Sequence, residues 1–169
     1  TLQLAENASI PKQVQLEEGS VIPEGFVWVE GGTFEMGSND GEFDEQPPHS
    51  VKLDDFYMSK YEVTQKEWRE VMGTNPSHFL KEEVINPGFL GFGREVKKHD
   101  VPDNPVEEVS WYDILVFCNR KSQQAGLTPV YSLNGSTNPS NWGNVPTSLN
   151  SNWDAVKCNW NANGYRLPT

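Results

Sequence analysis

Basic residues are scarce in this chain. Lys and Arg number 13 against 24 Asp and Glu, a formal net charge of −11 with a pI near 4.6. Such a surface repels phosphate backbones, so nucleic acid is not an expected partner. The densest basic run, Lys97-Lys98-His99, is too short to reverse this, and the acidity also favours solubility. No apolar run approaches the ~18–20 residues that cross a bilayer, and no signal-peptide pattern is visible. The chain opens on Thr1 rather than Met, as expected of a trimmed or processed product.

Cysteine is nearly absent. Cys118 and Cys158 form neither a CxxC pair nor a zinc spacing. Three readings stand open for them: buried unreactive thiols, a disulfide with each other or with another chain, or a catalytic role. The three histidines, His49, His78 and His99, are isolated from one another, so nothing local supplies the His pair of a facial-triad iron site. There is no Gly-x-Ser-x-Gly elbow. Gly88, Gly91 and Gly93 follow Pro87 without the spacing or the lysine of a phosphate loop. Asp40, Glu42, Asp44 and Glu45 crowd one loop but lack the calcium-loop order, and read as a solvated acidic turn.

What is present is a domain's worth of chain: 169 residues, 36% hydrophobic and 11% aromatic, with six tryptophans. Residues 1–23 are polar and carry two prolines, as in an arm or linker. Residues 24–169 form the domain. Val27 and Val29 alternate with Trp28 and Glu30, and Phe34 and Met36 alternate with Thr33 and Glu35. This pattern predicts two short strands joined by a Gly31-Gly32 hairpin turn. Residues 51–64 resume extended structure.

Two helices follow with the same grammar. Thr64 and Glu67 form a capping box, with Val63 and Trp68 at the staple positions, and Gly73 ends the helix. Ser110 and Asp113 repeat the box, and Gly126 is the stop. The helical stripes place Trp68, Val71, Trp111, Ile114, Leu115 and Cys118 in the core. The proline- and glycine-bearing stretch 75–108 is expected to be mostly loop. Residues 130–133 read as a strand ended by Asn134-Gly135, and 134–152 as a long turn-rich connection. Alternation at Val156, Cys158 and Trp160 predicts another strand. Trp142, Trp153 and Trp160 are the tryptophans best placed for exposure and sugar stacking, although packing against the core is the stronger reading. Pro168-Thr169 looks like the start of a helix with nothing left to cap, so the domain is expected to be incomplete at Thr169.

Several blocks, in order, resemble the formylglycine-generating-enzyme (sulfatase-modifying-factor) family. They are FVWVEGGTFEMGS at 26–38, DEQPPHSVKLDDFYMSKYEVTQKEWREVM at 44–72, DNPVEEVSWYDILVFCNRKS at 103–122 and NGYRLPT at 163–169. The resemblance implies an α+β, C-type-lectin-like fold with short strands, two main helices and much loop. It leaves function divided. The family holds copper-dependent oxidases that make formylglycine and domains of iron-dependent sulfoxide synthases. It also holds members with no assigned activity, including bacterial surface or lipid-anchored proteins and the variable proteins of diversity-generating retroelements.

In the oxidases the cysteine pair and most calcium ligands follow the RLPT block. No residue here matches them, so no catalytic, cofactor or metal position is carried over, and the ligand-binding residues are left unnamed. Calcium is implied only through the part after Thr169, and copper only on the oxidase reading. The favoured expectation is a non-catalytic lectin-like binding or display protein, extracytoplasmic, secreted or on a bacterial surface. Its expected partners are a protein or carbohydrate ligand and the C-terminal remainder of its own domain. The alternative is an oxidase or related metal-dependent oxygenase seen only in its scaffold half.

Overall fold

The computed structural model describes residues 22–86 and 95–168. Most of the 1–23 arm, the Gly88–Gly93 stretch and Thr169 therefore lie outside the described residues. The chain divides between Lys60 and Tyr61 into two compact units.

In the first unit, strand β1 (Phe26–Val29) pairs antiparallel with β4 (Phe56–Ser59), and β2 (Gly32–Met36) pairs with β3 (His49–Leu53). The register is the same on both sides of the interruption: Val29 faces Phe56 and Gly32 faces Leu53. The expected Gly31-Gly32 hairpin is therefore corrected. Two halves of one long ribbon are kinked where Glu30-Gly31 passes Asp54-Asp55. Gly31 has no positive φ, so it is not a turn glycine. Its job is close approach, because a Cβ there would sit 2.6 Å from the Asp54 carbonyl carbon and the Leu53 oxygen. Its N–H donates to Asp55 Oδ1 at 2.6 Å, which pins the kink.

The second unit holds the core. Helix α1 (Gln65–Met72) is capped by Thr64, whose hydroxyl accepts from the Glu67 amide at 3.2 Å, and Gly73 ends it at φ 82°. The reciprocal half of that box is not made; the Glu67 carboxylate pairs with Lys121 instead. Helix α2 (Trp111–Gln124) has the full capping box between Ser110 and Asp113. Its buried face runs through Tyr112, Leu115, Val116, Phe117, Cys118, Asn119 and Ser122. Trp68 of α1 stacks on Phe117 with ring centres 4.9 Å apart.

The expected core holds at Trp68, Leu115 and Cys118, while Val71 and Ile114 are half-buried against it. Trp111 is corrected: it is 46% exposed. The buried stripe begins one residue later than expected, and Tyr112 turns inward.

The stretch 75–108 is corrected in part. It carries an antiparallel pair, β5 (Lys81–Asn86) with β6 (Glu95–His99), with complementary charges facing across the ladder. Glu82 opposes Lys98 and Glu83 opposes Lys97, and His99 Nε2 lies 2.9 Å from Glu83. Strand β7 (Tyr131–Ser132) ends in a turn with both φ positive, Asn134 at 51° and Gly135 at 78°. The strand expected around 156–160 shrinks to β8 (Lys157–Cys158), which pairs with β7. Before it, Asn150 caps a one-turn helix, α3 (Ser151–Asp154). Side-chain capping by Asn150 outcompetes the extended pattern there.

Candidate functional site

Cys118 is buried on α2, and burial pushes its pKa up to about 12, with Lys121 pulling only weakly the other way. Burial also raises Cys158, against the opposing charge of Arg166. Both stand as free thiols, and neither is a poised thiolate. The histidines are dispersed. His49 Nδ1 contacts the Pro47 carbonyl at 3.3 Å, His78 packs edge-on against Phe79, and His99 meets Glu83. Among the described residues no three His, Cys, Asp or Glu side chains converge as a metal site would require. The acidic loop forms a short turn, Phe43–Glu45, with its backbone closed on itself by Glu42 and Ser38.

The sequence reading missed two buried carboxamides that organise the second unit. Asn119, fully buried, donates from Nδ2 to the Tyr131 carbonyl at 2.7 Å and the Thr137 carbonyl at 2.8 Å. Its Oδ1 accepts from the Tyr131 N–H at 3.0 Å. It therefore acts toward Tyr131 as one peptide unit of a neighbouring strand would. Gln65, equally buried, donates to the Phe79 carbonyl at 3.1 Å. Its Oε1 accepts from the Val101 N–H at 3.0 Å and from Asn75 at 3.1 Å. Asn119 ties β7 and the Thr137 backbone to α2, and Gln65 fixes the Phe79 and Val101 segments. The available signal was a polar residue at a core position: Asn119 falls on the stripe set by Leu115 and Val116.

Glu107 secures a third junction. Its carboxylate accepts from the Phe79 and His78 amides at 2.9 and 3.0 Å, and those bonds hold its pKa below the usual carboxylate value.

The Asn- and Ser-rich connection is thereby a fixed surface. Trp142 and Trp153 are buried, edge-to-face at 5.7 Å, and the Trp142 indole donates to the Ser136 carbonyl at 2.8 Å. This is the packed arrangement rather than the sugar-stacking one. Tyr112 closes the group by donating to Asp154 and accepting from the Asn150 amide. Outward from these anchors stand exposed Asn, Ser and Thr side chains and Leu149. Trp160 does remain exposed, with the Arg166 guanidinium 5.5 Å from its ring centre. The loop under it is held by Asn159 N–H to Val130 O at 2.9 Å and Leu167 N–H to Tyr131 Oη at 3.0 Å.

In the first unit, Phe34, Met36, Val51 and Leu53 share one side of the β2–β3 ribbon, and Phe34 and Met36 lie about half open to solvent. No helix among the described residues is long and apolar enough to cross a membrane.

Comparison with known proteins agrees with this architecture. The chain is 37% identical to the chaperone protein LppX of Paenibacillus barcinonensis over 150 residues, 89% of this chain and 44% of that protein. The structure of Treponema denticola variable protein 1 superposes with a TM-score of 0.64 at 34% identity, covering 85% of this chain and 49% of that one. The structure of CarF matches in fold at a TM-score of 0.54 and 23% identity, over 88% of this chain and 54% of that one. The chain thus spans about half the length of the relatives it matches. A sulfatase-modifying factor enzyme 1-like domain model matches residues 12–169, and the chain belongs to that family.

Proposed function

We propose that this chain is the scaffold half of a lectin-like binding or display module that works outside the cytoplasm, at a bacterial surface or secreted. The carrying observation is the likeness to Treponema denticola variable protein 1, at 34% identity over 85% of the chain. The sharpest form of the reading is a diversity-generating-retroelement variable protein. The organisation of the second unit supports display. Buried Asn119, Gln65, Trp142 and Trp153 hold irregular loops in place, so that polar side chains are presented without a large ordering cost. The ligand class we favour is protein. The apolar side of the β2–β3 ribbon suits polypeptide better than sugar, and a 37%-identical relative is named a chaperone.

One observation favours a second reading, an oxidase of the formylglycine-generating type: the family model itself is named for a sulfatase-modifying enzyme. Sequencing the polypeptide that continues the domain separates the two. A cysteine pair near its end, with copper-dependent oxygen uptake on thiol peptides, would overturn the binding reading. The binding reading expects no such turnover, and capture of an unfolded-protein or surface-protein probe by the whole protein.

A further inference from the structure

The chain contains two Asn-Gly steps, Asn134-Gly135 and Asn163-Gly164, and the fold treats them in opposite ways. Local sequence alone would make both equally prone to the intramolecular reaction of an asparagine carboxamide with the next backbone nitrogen. Glycine has no side chain to crowd that approach. Whether the reaction occurs depends on how firmly the carboxamide and the following peptide are held.

Asn134-Gly135 is open. Both residues are exposed, and a Cβ built on Gly135 would meet nothing within 4 Å. Among the described residues no hydrogen bond is made by the Asn134 carboxamide or by the Gly135 N–H. The turn is closed by the Leu133–Ser136 pair, N–H to O at 3.0 Å in each direction, and Ser136 O also accepts from the Trp142 indole. These bonds hold the residues flanking the turn and leave the Asn134 carboxamide itself unheld.

Asn163-Gly164 is locked. The Asn163 Oδ1 accepts from the Thr128 N–H at 2.9 Å. A Cβ on Gly164 would lie 2.4 Å from the Thr128 carbonyl oxygen and 2.6 Å from Ser122 Oγ, so the backbone there is in tight contact. The next residue is held as well, its N–H donating to the same Ser122 hydroxyl at 2.8 Å.

We propose that Asn134 is a site of spontaneous modification, deamidating in the folded protein, whereas Asn163 is protected by the fold. The Gly135 nitrogen, losing its proton to hydroxide or buffer base, attacks Asn134 Cγ. A C–N bond forms, the side-chain amide leaves as ammonia, and a cyclic imide results. Water then opens the imide at either carbonyl, giving aspartate or isoaspartate. The net change is asparagine plus water to acid plus ammonia, with no oxidant or cofactor.

The product matters to the core. Isoaspartate lengthens the main chain by one carbon within the tight turn, which breaks the Leu133–Ser136 closure. Ser136 O is also the acceptor for the Trp142 indole, so the change reaches a buried tryptophan. The turn would become a clock that marks the age of the folded protein.

The test is peptide mapping of the whole protein aged at mildly alkaline pH, once folded and once in urea. In the folded protein, conversion at Asn134 should outpace that at Asn163 by about tenfold or more. In urea the two steps should convert at similar rates. Equal conversion of both in the folded protein would overturn the proposal. So would a folded protein in which Asn134 stays intact while urea exposes both.

Discussion

Asn119 offers the most direct test of how this domain holds its loops. Its carboxamide satisfies the Tyr131 N–H and carbonyl in a buried site, and the Thr137 carbonyl at its partly buried margin. Replacing it with Ala leaves those three backbone groups without partners. Each orphaned buried group costs about 1–3 kcal/mol, so with two at Tyr131 Asn119→Ala should lose roughly 2–6 kcal/mol. Asn119→Asp refines the test because its shape is unchanged. A carboxylate keeps the acceptor toward Tyr131 N–H but puts an oxygen, in place of Nδ2, against two carbonyl oxygens. Desolvation and that repulsion raise its pKa in the folded state above the unfolded value of about 3.9. The penalty is then absent at low pH and appears as pH rises past the unfolded value. Relative to wild type, Asn119→Asp should be less stable at about pH 8 than at about pH 5. Urea denaturation with matched m-values measures both quantities. A loss below about 1 kcal/mol for Asn119→Ala, or an Asp variant that gains on wild type as pH rises, would refute the bracing role.

Trp68→Ala should cost about 3–5 kcal/mol, and Trp111→Ala about 1 kcal/mol or less, in thermal or urea denaturation; the reverse order would mean that α2 is rotated from its described setting. Gly31→Ala should cost several kcal/mol, on the order of an overpacked core site, because its Cβ would meet backbone atoms that cannot turn aside. With a thiol pKa of about 12, Cys118 should resist a water-soluble thiol reagent at neutral pH until the protein is unfolded; rapid labelling of native protein would contradict its burial. Glu107→Gln should flatten part of the acid limb of the stability profile. The lowered carboxyl pKa means its contribution is complete above the unfolded value and is lost as pH falls through the folded one.

The local sequence by itself determined the ends of both helices. Thr64, Ser110, Asp113, Gly73 and Gly126 act through atoms within a few residues of their own backbone, and they stand in the structure where the sequence places them. Family membership was legible for a related reason, since the matching blocks are contiguous segments. The tertiary structure decided the rest. Gly31 resembled a turn glycine until the opposing strand came within 2.6 Å of it. The β5–β6 pair reads as loop because both strands are exposed along nearly their whole length, so neither shows the alternation of a half-buried strand. A one-residue error in helical phase exchanged Trp111 for Tyr112, since the face that is buried depends on what packs against it. Asn119 and Gln65 are ordinary polar residues in sequence. They become braces only when distant backbone groups, Tyr131 and Thr137 for one and Phe79 and Val101 for the other, need partners away from water.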